Sequence, residues 1–255
     1  MNGVRLEVRN LQKSFGRHVA LHNVSFVVAG GAQVGIVGES GSGKSTIVRL
    51  LLDLEHQSGG EILVNGVALG DVMRSRESRA EYRRQVQLVA QDTTATFDPR
   101  HTVGRSIRTP AQLLCGMDLA AATEASHRVA NELGIPEVLL DRHPAQLSGG
   151  QRQRMAIARA LIVSPDLLVC DEAVSALDVS VQGVVLNLLK DYCAHHGSGL
   201  IFVSHGLPAT AFVTDELIVM NAGRIVEAGR TSEILANPSD PYSRSLVAAY
   251  SGGLL

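Results

Sequence analysis

The chain has 255 residues, of which 45% are apolar and 19% are charged, and its formal net charge is −2 at pH 7. This length suffices for one domain with an inserted lobe, and the near-neutral charge disfavours nucleic acid as a partner. No apolar stretch approaches the roughly 20 residues of a membrane-spanning helix, and the N-terminus lacks the apolar core of a signal peptide.

The first part of the chain has the alternation of apolar and polar side chains that is typical of half-buried strands. Residues 4–8 show this alternation, and residues 24–28 repeat it. A third apolar piece, residues 62–64, precedes Asn65-Gly66, a dipeptide typical of hairpin turns. The sequence therefore predicts an N-terminal β lobe.

A glycine-rich loop lies between these pieces and reads Gly38-Glu-Ser-Gly-Ser-Gly-Lys44-Ser45-Thr46, which fits G-x-x-x-x-G-K-[ST]. It follows an apolar run over 33–37, which predicts a buried strand. In such a loop, successive backbone N–H groups and the next helix N-terminus bind phosphate. A Gly/Ser linker with a chance lysine is the alternative, but the chain has only three lysines.

We expect this phosphate loop to bind ATP, with Lys44 at the β- and γ-phosphates and the Ser45 hydroxyl on Mg²⁺. The predicted nucleotide-binding residues of the loop are Gly38, Glu39, Ser40, Gly41, Ser42, Gly43, Lys44, Ser45 and Thr46. The apolar spacing also predicts a helix after the loop. Its buried face would comprise Ile47, Leu50, Leu51 and Leu54.

The later pattern is first helical and then alternates between strand and helix. Residues 120–133 predict a helix that ends at Gly134. Short apolar runs at 167–170, 200–203 and 217–220 predict strands of a mainly parallel sheet. We therefore predict an α/β fold whose nucleotide-binding core comprises 1–92 and 161–235. A helical lobe would comprise 93–160 and a short tail 236–255.

Asp171 and Glu172 follow the first of these runs, at the end of a predicted buried strand, where α/β sheets bind ligands. Taken alone, such a pair is more often a solvated strand end, but the phosphate loop upstream favours a catalytic pair. Asp171 fits a Mg²⁺ partner. Glu172 fits the base that orients or deprotonates the attacking water, a role typically worth about 10²- to 10⁴-fold in rate.

Residues 147–151 read Leu-Ser-Gly-Gly-Gln and form what we call the signature segment. Ser148 can cap a helix whose first residues, Gly149 and Gly150, allow close backbone approach, which predicts a second anion site. With the phosphate loop upstream and Asp171-Glu172 downstream, the chain resembles the ATP-binding cassette family. The resemblance extends over nearly the whole sequence.

That resemblance implies a P-loop ATPase with an antiparallel β lobe, a helical lobe and head-to-tail dimers. In such a dimer, Ser148, Gly149, Gly150 and Gln151 would contact the ATP that a second ATPase subunit holds. The segment from Ser175 to Asp178 would cross the dimer interface.

The resemblance also implies roles for three isolated residues. Gln91 matches the glutamine that links Mg²⁺ and the water to the helical lobe, and it counts among the metal ligands with Ser45 and Asp171. His205 matches the switch histidine that contacts the γ-phosphate, although a lone histidine more often packs or lies at the surface. Phe15 matches the aromatic residue that stacks on adenine, with a core phenylalanine as the alternative.

Three strings resemble the ATPases of peptide and nickel importers, namely residues 97–104, 174–182 and the tail 237–246. Such a subunit would lie peripherally at the cytoplasmic face of the inner membrane. Its partners would be a second ATPase, two permeases and, indirectly, an extracellular or periplasmic solute-binding protein. The alternatives are another transport sub-family and a non-transport ATPase. DNA-repair ATPases need a long coiled coil between the phosphate loop and the signature, whereas Ser148 follows Lys44 by only 104 positions.

Two residues depart from the family pattern. Ala173 stands where a proline usually follows the catalytic glutamate, and Gly206 stands where an aspartate usually follows the switch histidine. Neither change removes a group needed for hydrolysis, so we predict competent sites, with a looser segment around His205.

Overall fold

A computed structural model describes residues 3–93, 96–175 and 177–251. Ala176, in the segment predicted to cross the dimer interface, lies outside the described residues, as do residues 1–2, 94–95 and 252–255 of the predicted lobes and tail. The strands are β1 (Leu6–Phe15), β2 (His18–Val28), β3 (Gln33–Val37), β4 (Gly59–Val64), β5 (Val67–Ala68), β6 (Val86–Val89), β7 (Leu167–Asp171), β8 (Gly199–Ser204), β9 (Glu216–Asn221) and β10 (Arg224–Arg230). The helices are α1 (Lys44–Leu51), α2 (Leu69–Val72), α3 (Arg76–Gln85), α4 (Val103–Cys115), α5 (Leu119–Glu132), α6 (Gly149–Leu161), α7 (Val179–His196), α8 (Leu207–Val213), α9 (Thr231–Ala236) and α10 (Pro241–Ser251).

The larger sheet has six strands in the order β10-β9-β3-β8-β7-β6. Every neighbouring pair is parallel except β10 with β9, which confirms the predicted mainly parallel sheet. Because β3, β8 and β7 are parallel neighbours, their carboxyl ends meet at one edge of the sheet. The phosphate loop follows β3, His205 follows β8 and Asp171 ends β7, so three predicted parts of the site begin at this edge.

The smaller sheet has the order β2-β1-β4-β5, and all of its pairs are antiparallel. The turn between β4 and β5 consists of Asn65 and Gly66, with φ of 50° and 84°. Two positive φ values are what a two-residue hairpin turn requires. The predicted antiparallel β lobe and its hairpin are therefore confirmed.

The core lies on both faces of the larger sheet. In β8, Leu200 and Phe202 belong to one apolar cluster, and Ile201 and Val203 belong to another. This alternation follows from the period of two along a strand. Helices α4, α5 and α6 supply much of the first cluster, and α1 with the smaller sheet supplies much of the second.

One sequence prediction fails at the end of α1, and one helix was not predicted. The predicted apolar face included Leu54, but α1 ends at Leu51 and Leu54 is 62% exposed. The reason is Asp53, whose φ of 54° turns the chain away from the helix.

Helix α3 was not predicted from the sequence. Tyr82 is its one buried residue, and the other residues show no periodic apolar pattern.

Among the described residues, no helix combines the length and the apolar character needed to cross a membrane.

Candidate functional site

The phosphate loop opens into a cavity of about 310 Å³ at the edge of the larger sheet. Its lining brings together residues that lie far apart in the sequence. The lining residues are Phe15, His18, Ala20, Ser40, Gly41, Gly43, Lys44, Ser45, Thr46 and Glu172. Most of the predicted loop residues, the predicted adenine-stacking residue and the predicted base therefore share one cavity.

The loop needs glycine at its first position for a steric reason. Gly38 has a φ of 153°, and a Cβ atom there would lie 2.2 Å from the carbonyl oxygen of Met220. Gly41 also has a positive φ, 82°, but a Cβ atom there would meet nothing within 4 Å. Gly38 is therefore required because a side chain would clash, whereas Gly41 is favoured only by its backbone conformation.

We expect Gly38→Ala to prevent the loop from forming, because the clash is with backbone of β9. Overpacking of this kind costs about 1–3 kcal/mol, in addition to the strain of the positive φ. Gly41→Ala carries only the strain, about 1–2 kcal/mol. Thermal unfolding and binding of a fluorescent ATP analogue are the measurements. If Gly38→Ala binds the analogue as well as Gly41→Ala does, the steric explanation is wrong.

Lys44 is buried, and its ammonium is held by the loop itself. Its Nζ donates hydrogen bonds to the carbonyl oxygens of Gly38 at 2.7 Å and Glu39 at 2.8 Å. Burial lowers the pKa of Lys44, while the carboxylates of Glu172 and Asp171 oppose that shift. A phosphate group would add the negative charge that a buried ammonium lacks.

Ser45 and Asp171 form the pair expected of a magnesium site. Ser45 Oγ donates to Asp171 Oδ1 at 3.1 Å. Burial raises the pKa of Asp171, the Ser45 hydrogen bond opposes that shift, and the neighbouring Glu172 carboxylate adds to it. Hydroxyl and carboxylate oxygens are ligands that Mg²⁺ accepts, and a cation between them would offset the crowding of negative charge.

Ser42 gives a further test of whether the loop fits a phosphate. Its Oγ is buried and has no hydrogen-bond partner among the described residues. A buried hydroxyl without a partner costs free energy, about 1–3 kcal/mol. A phosphate oxygen would supply the missing acceptor, so the donor set of the loop fits a bound nucleotide.

Glu172 has a strained backbone, with a φ of 50°. Its N–H donates to the Val203 carbonyl at 2.8 Å, and its own carbonyl accepts from Ser175 Oγ at 2.9 Å. Strain of this kind costs about 1–3 kcal/mol and is concentrated at functional sites. Glu172 Oε2 lies 3.9 Å from Nδ1 of His205, whose side chain is 57% exposed. The structure therefore places the predicted base beside the predicted switch histidine.

The other isolated predictions lie around this centre. The amide nitrogen of Gln91 donates to Ser175 Oγ at 3.3 Å, so Gln91 reaches the Glu172 segment through Ser175. Phe15 is 42% exposed, which leaves ring surface for stacking, and Lys13 Nζ lies 4.6 Å from the ring centroid. Ala173, which stands where the family usually has a proline, is buried, with 2% of its surface exposed.

The signature segment lies at the start of α6. Ser148 Oγ accepts from the Gln151 N–H at 3.3 Å, and Gln151 Oε1 accepts from the Ser148 N–H at 2.9 Å, which forms a capping box. A Cβ atom on Gly150 would lie 2.9 Å from Val181 Cγ1, whereas one on Gly149 would meet nothing within 4 Å. Packing within the chain therefore explains Gly150 but not Gly149.

The signature segment borders its own cavity, of about 220 Å³. The lining residues are Ser148, Gly149, Gly150, Gln151, Arg154, Leu177, Asp178 and Val181. None of them also lines the phosphate-loop cavity. The structure thus brings the predicted site residues together in two separate groups.

Comparison with known proteins gives the family. The family model described as ABC transporter matches residues 21–175. The chain belongs to the ABC transporter family. It is an ATPase of that family, and the family's activity is ATP hydrolysis coupled to transport.

Relatives and solved structures of ABC transporter ATPases agree with this assignment. A probable peptide ABC transporter ATP-binding protein of Sinorhizobium fredii is 41% identical over 90% of the chain, which spans 65% of that relative. The oligopeptide transport ATP-binding protein AmiF of Streptococcus pneumoniae is 38% identical over 96% of the chain and 80% of its own length. A dimeric ATP-binding cassette in a post-hydrolysis state with ADP and Pi has a TM-score of 0.80 at 26% identity, covering 89% of this chain and 98% of that one.

Sequence reasoning on this ABC ATPase missed two contacts to the site. Tyr242 Oη accepts from the Glu39 N–H at 2.9 Å, and Tyr250 Oη donates to the His205 carbonyl at 2.6 Å. The tail containing Tyr242 was singled out only as a sub-family string. No local pattern signals a contact between residues so distant in sequence.

Proposed function

We propose that this ABC ATPase energises a peptide importer. The observation that supports hydrolysis most directly is that Lys44, Ser45 and Glu172 line one cavity, with Asp171 bonded to Ser45. The names of the relatives support a peptide as the solute. Nickel chelates were the other expectation from sequence, and no relative named above is a nickel transporter.

Each side chain has a proposed task. When Mg²⁺ and ATP are bound, they present an electrophilic γ-phosphorus to water. Lys44 binds the phosphates, and Ser45 and Asp171 hold the metal. Glu172 orients the water and accepts its proton, with its backbone held by the hydrogen bonds to Val203 and Ser175.

The remaining predicted residues position the reactants. Phe15 offers its exposed ring to adenine, and His205 contacts the γ-phosphate from beside Glu172. Gln91 contacts the Glu172 segment through Ser175 and lies two residues before the proposed helical lobe, residues 93–160. Gln91 would then report nucleotide occupancy to that lobe.

A second ATPase subunit is proposed to complete each site. The signature cavity and the phosphate-loop cavity have no lining residue in common, which supports a role for the signature outside its own chain. Gly149 is open enough for close approach, and the α6 N-terminus adds a favourable field for phosphate. Ser148, Gly149, Gly150 and Gln151 would therefore contact the ATP held by the partner.

A groove of about 450 Å³ is the proposed permease-docking surface. Leu54 and Leu113, which line the same groove, are 62% and 75% exposed, so the groove presents apolar surface to a partner. The lining residues are Leu52, Leu54, Arg83, Val86, Gln87, Leu88, Ala90, Thr96, Thr109, Pro110, Leu113, Leu114, Ala156 and Arg159. A cytoplasmic helix of a permease fits this groove, which would hold the subunit peripherally at the inner membrane. A solute-binding protein would act on the outer side.

Leu113→Asp tests the docking surface and the solute together. In cells that express the complete transporter, this variant should lose uptake of a radiolabelled tripeptide by at least about tenfold, since a charge in an apolar contact costs more than 1.4 kcal/mol. The purified variant should still bind ATP. Tripeptide uptake, co-purification with the permeases and binding of a fluorescent ATP analogue are the measurements.

Leu119→Asp is the matched control, because Leu119 is 63% exposed but does not line the groove. It should leave uptake unchanged. Normal uptake by Leu113→Asp would refute the docking surface. A transporter that takes up a nickel chelate and no peptide would refute the proposed solute.

A further inference from the structure

The tail string, residues 237–246, has a structural role that ATP chemistry does not explain. Glu227 on β10 accepts hydrogen bonds from Ser239 N–H and Ser239 Oγ, both at 2.8 Å, and from Asp240 N–H at 3.3 Å. Desolvation by itself would raise the pKa of Glu227, but the hydrogen bonds from Ser239 and Asp240 lower this pKa to about 2. The start of the tail is thus fixed to the larger sheet.

Helix α10 begins directly after this attachment. Asp240 Oδ1 accepts from the Tyr242 N–H at 2.8 Å, and Pro241 occupies the first helical position. An aspartate cap followed by proline is a strong helix start. The tail string therefore fixes where α10 begins and which direction it takes.

The apolar side of α10 packs against residues 204–207, which contain His205 and Gly206 and which we call the switch segment. Leu246, Val247 and Tyr250 join the apolar cluster that contains Val37 at the end of β3 and Leu207 at the start of α8. Leu207 follows His205 by two residues. The helix therefore covers the sheet edge from which both the phosphate loop and the switch histidine emerge.

The two tyrosines of α10 contact these two segments separately. Tyr242 Oη accepts from the N–H of Glu39, whose carbonyl accepts from Lys44. Tyr250 Oη donates to the carbonyl of His205, which lies beside Glu172. Tyr250 follows Tyr242 by eight positions, or about 12 Å along a helix, so α10 spans the distance between the two segments.

Gly206 explains why the switch segment needs such support. It is the N-cap of α8 but offers no side-chain acceptor to the helix. Its N–H donates to Ser204 Oγ at 2.9 Å, within the same segment. The hydrogen bond that the Tyr250 hydroxyl donates to the carbonyl of His205, the residue before Gly206, comes from outside this segment.

We propose that Tyr242 and Tyr250 are positioning residues of the ATPase site. Tyr242 holds the Glu39 peptide that orients Lys44, and Tyr250 holds the backbone of His205 at its distance from Glu172. Helix α10 thereby fixes the phosphate-binding and switch segments relative to each other. This inference rests on the proposed roles of Lys44 and His205.

The test compares Tyr242→Phe and Tyr250→Phe in the assembly in which the unaltered chain hydrolyses ATP. A hydrogen bond is worth about two- to tenfold in an equilibrium or rate. Tyr250→Phe should lower kcat by about that factor with little change in KM for ATP. Tyr242→Phe should weaken binding of a fluorescent ATP analogue to the purified chain by about the same factor.

Tyr82→Phe is the matched control. Tyr82 Oη also donates to a backbone carbonyl, that of Leu51, at 2.5 Å and away from the site. Its loss should lower Tm without changing kcat or analogue binding. If both tail variants lower only Tm, as this control does, the positioning role is overturned.

The roles on which the inference depends need their own experiment. His205→Ala should lower kcat by more than Tyr250→Phe does. Unchanged turnover in His205→Ala would overturn the proposed role of His205. The Tyr242 measurement is of nucleotide binding, so it tests the contact with the phosphate loop independently of hydrolysis.

Discussion

Glu172→Gln is expected to retain ATP binding and to lower ATP turnover by at least about 100-fold, because the amide cannot accept the proton of the attacking water. Glutamine has nearly the same shape as glutamate, so the strained backbone and its bonds to Val203 and Ser175 should persist. Phosphate release and binding of a fluorescent ATP analogue are the measurements.

The same variant should accumulate as an ATP-bound dimer. If ATP joins the subunits and hydrolysis separates them, a site that cannot hydrolyse ATP holds the dimer together. Size-exclusion chromatography with ATP and with ADP measures this, and only ATP should shift the elution. Glu216→Gln, an exposed carboxylate at the start of β9, should behave like the unaltered chain. Normal turnover by Glu172→Gln would refute the assignment of the base.

Ser148→Arg should abolish hydrolysis at the partner's site while leaving the chain's own phosphate loop intact. Arginine in the signature cavity would remove the cap of α6 and fill the space beside Gly149. Lys44→Ala has the opposite defect, because it loses the phosphate contact and keeps the signature. Each variant alone should therefore be inactive.

An equal mixture of the two variants should recover about a quarter of the unaltered activity, because half of the random dimers contain one complete site of two. Steady-state phosphate release measures the recovery, and the experiment is done after the chromatography described above has tested whether the chain pairs with itself. Thr102→Arg is the control, since Thr102 caps α4 as Ser148 caps α6. It should hydrolyse ATP unaided. Full activity of Ser148→Arg alone would disprove the shared site.

Much of the site could be predicted from sequence because its chemistry is local. The phosphate loop and Asp171-Glu172 are short strings at strand ends, and the parallel order of the strands brings strand ends together. The apolar period gave the strands, but it failed at Leu54, where the left-handed Asp53 ends the regular spacing.

Contacts between distant segments could not be predicted. Tyr242 and Glu39 are 203 residues apart, and their hydrogen bond depends on the direction of α10, which Glu227 and Asp240 determine. Likewise, both signature glycines look alike in the sequence. Only the packing of Val181 distinguishes Gly150 from Gly149.

The two hydrogen bonds from Lys44 to its own loop have a consequence for ligand selectivity. A ligand can draw the ammonium away from the Gly38 and Glu39 carbonyls only if it offers a stronger acceptor at the same place. Charged phosphate oxygens are stronger acceptors than neutral carbonyls. Adenosine and AMP have no phosphate at the β or γ position and leave the lysine with its backbone partners. We therefore expect the loop carbonyls to compete with such ligands for Lys44 and to weaken their binding, although their adenine could stack in the same way as that of ATP.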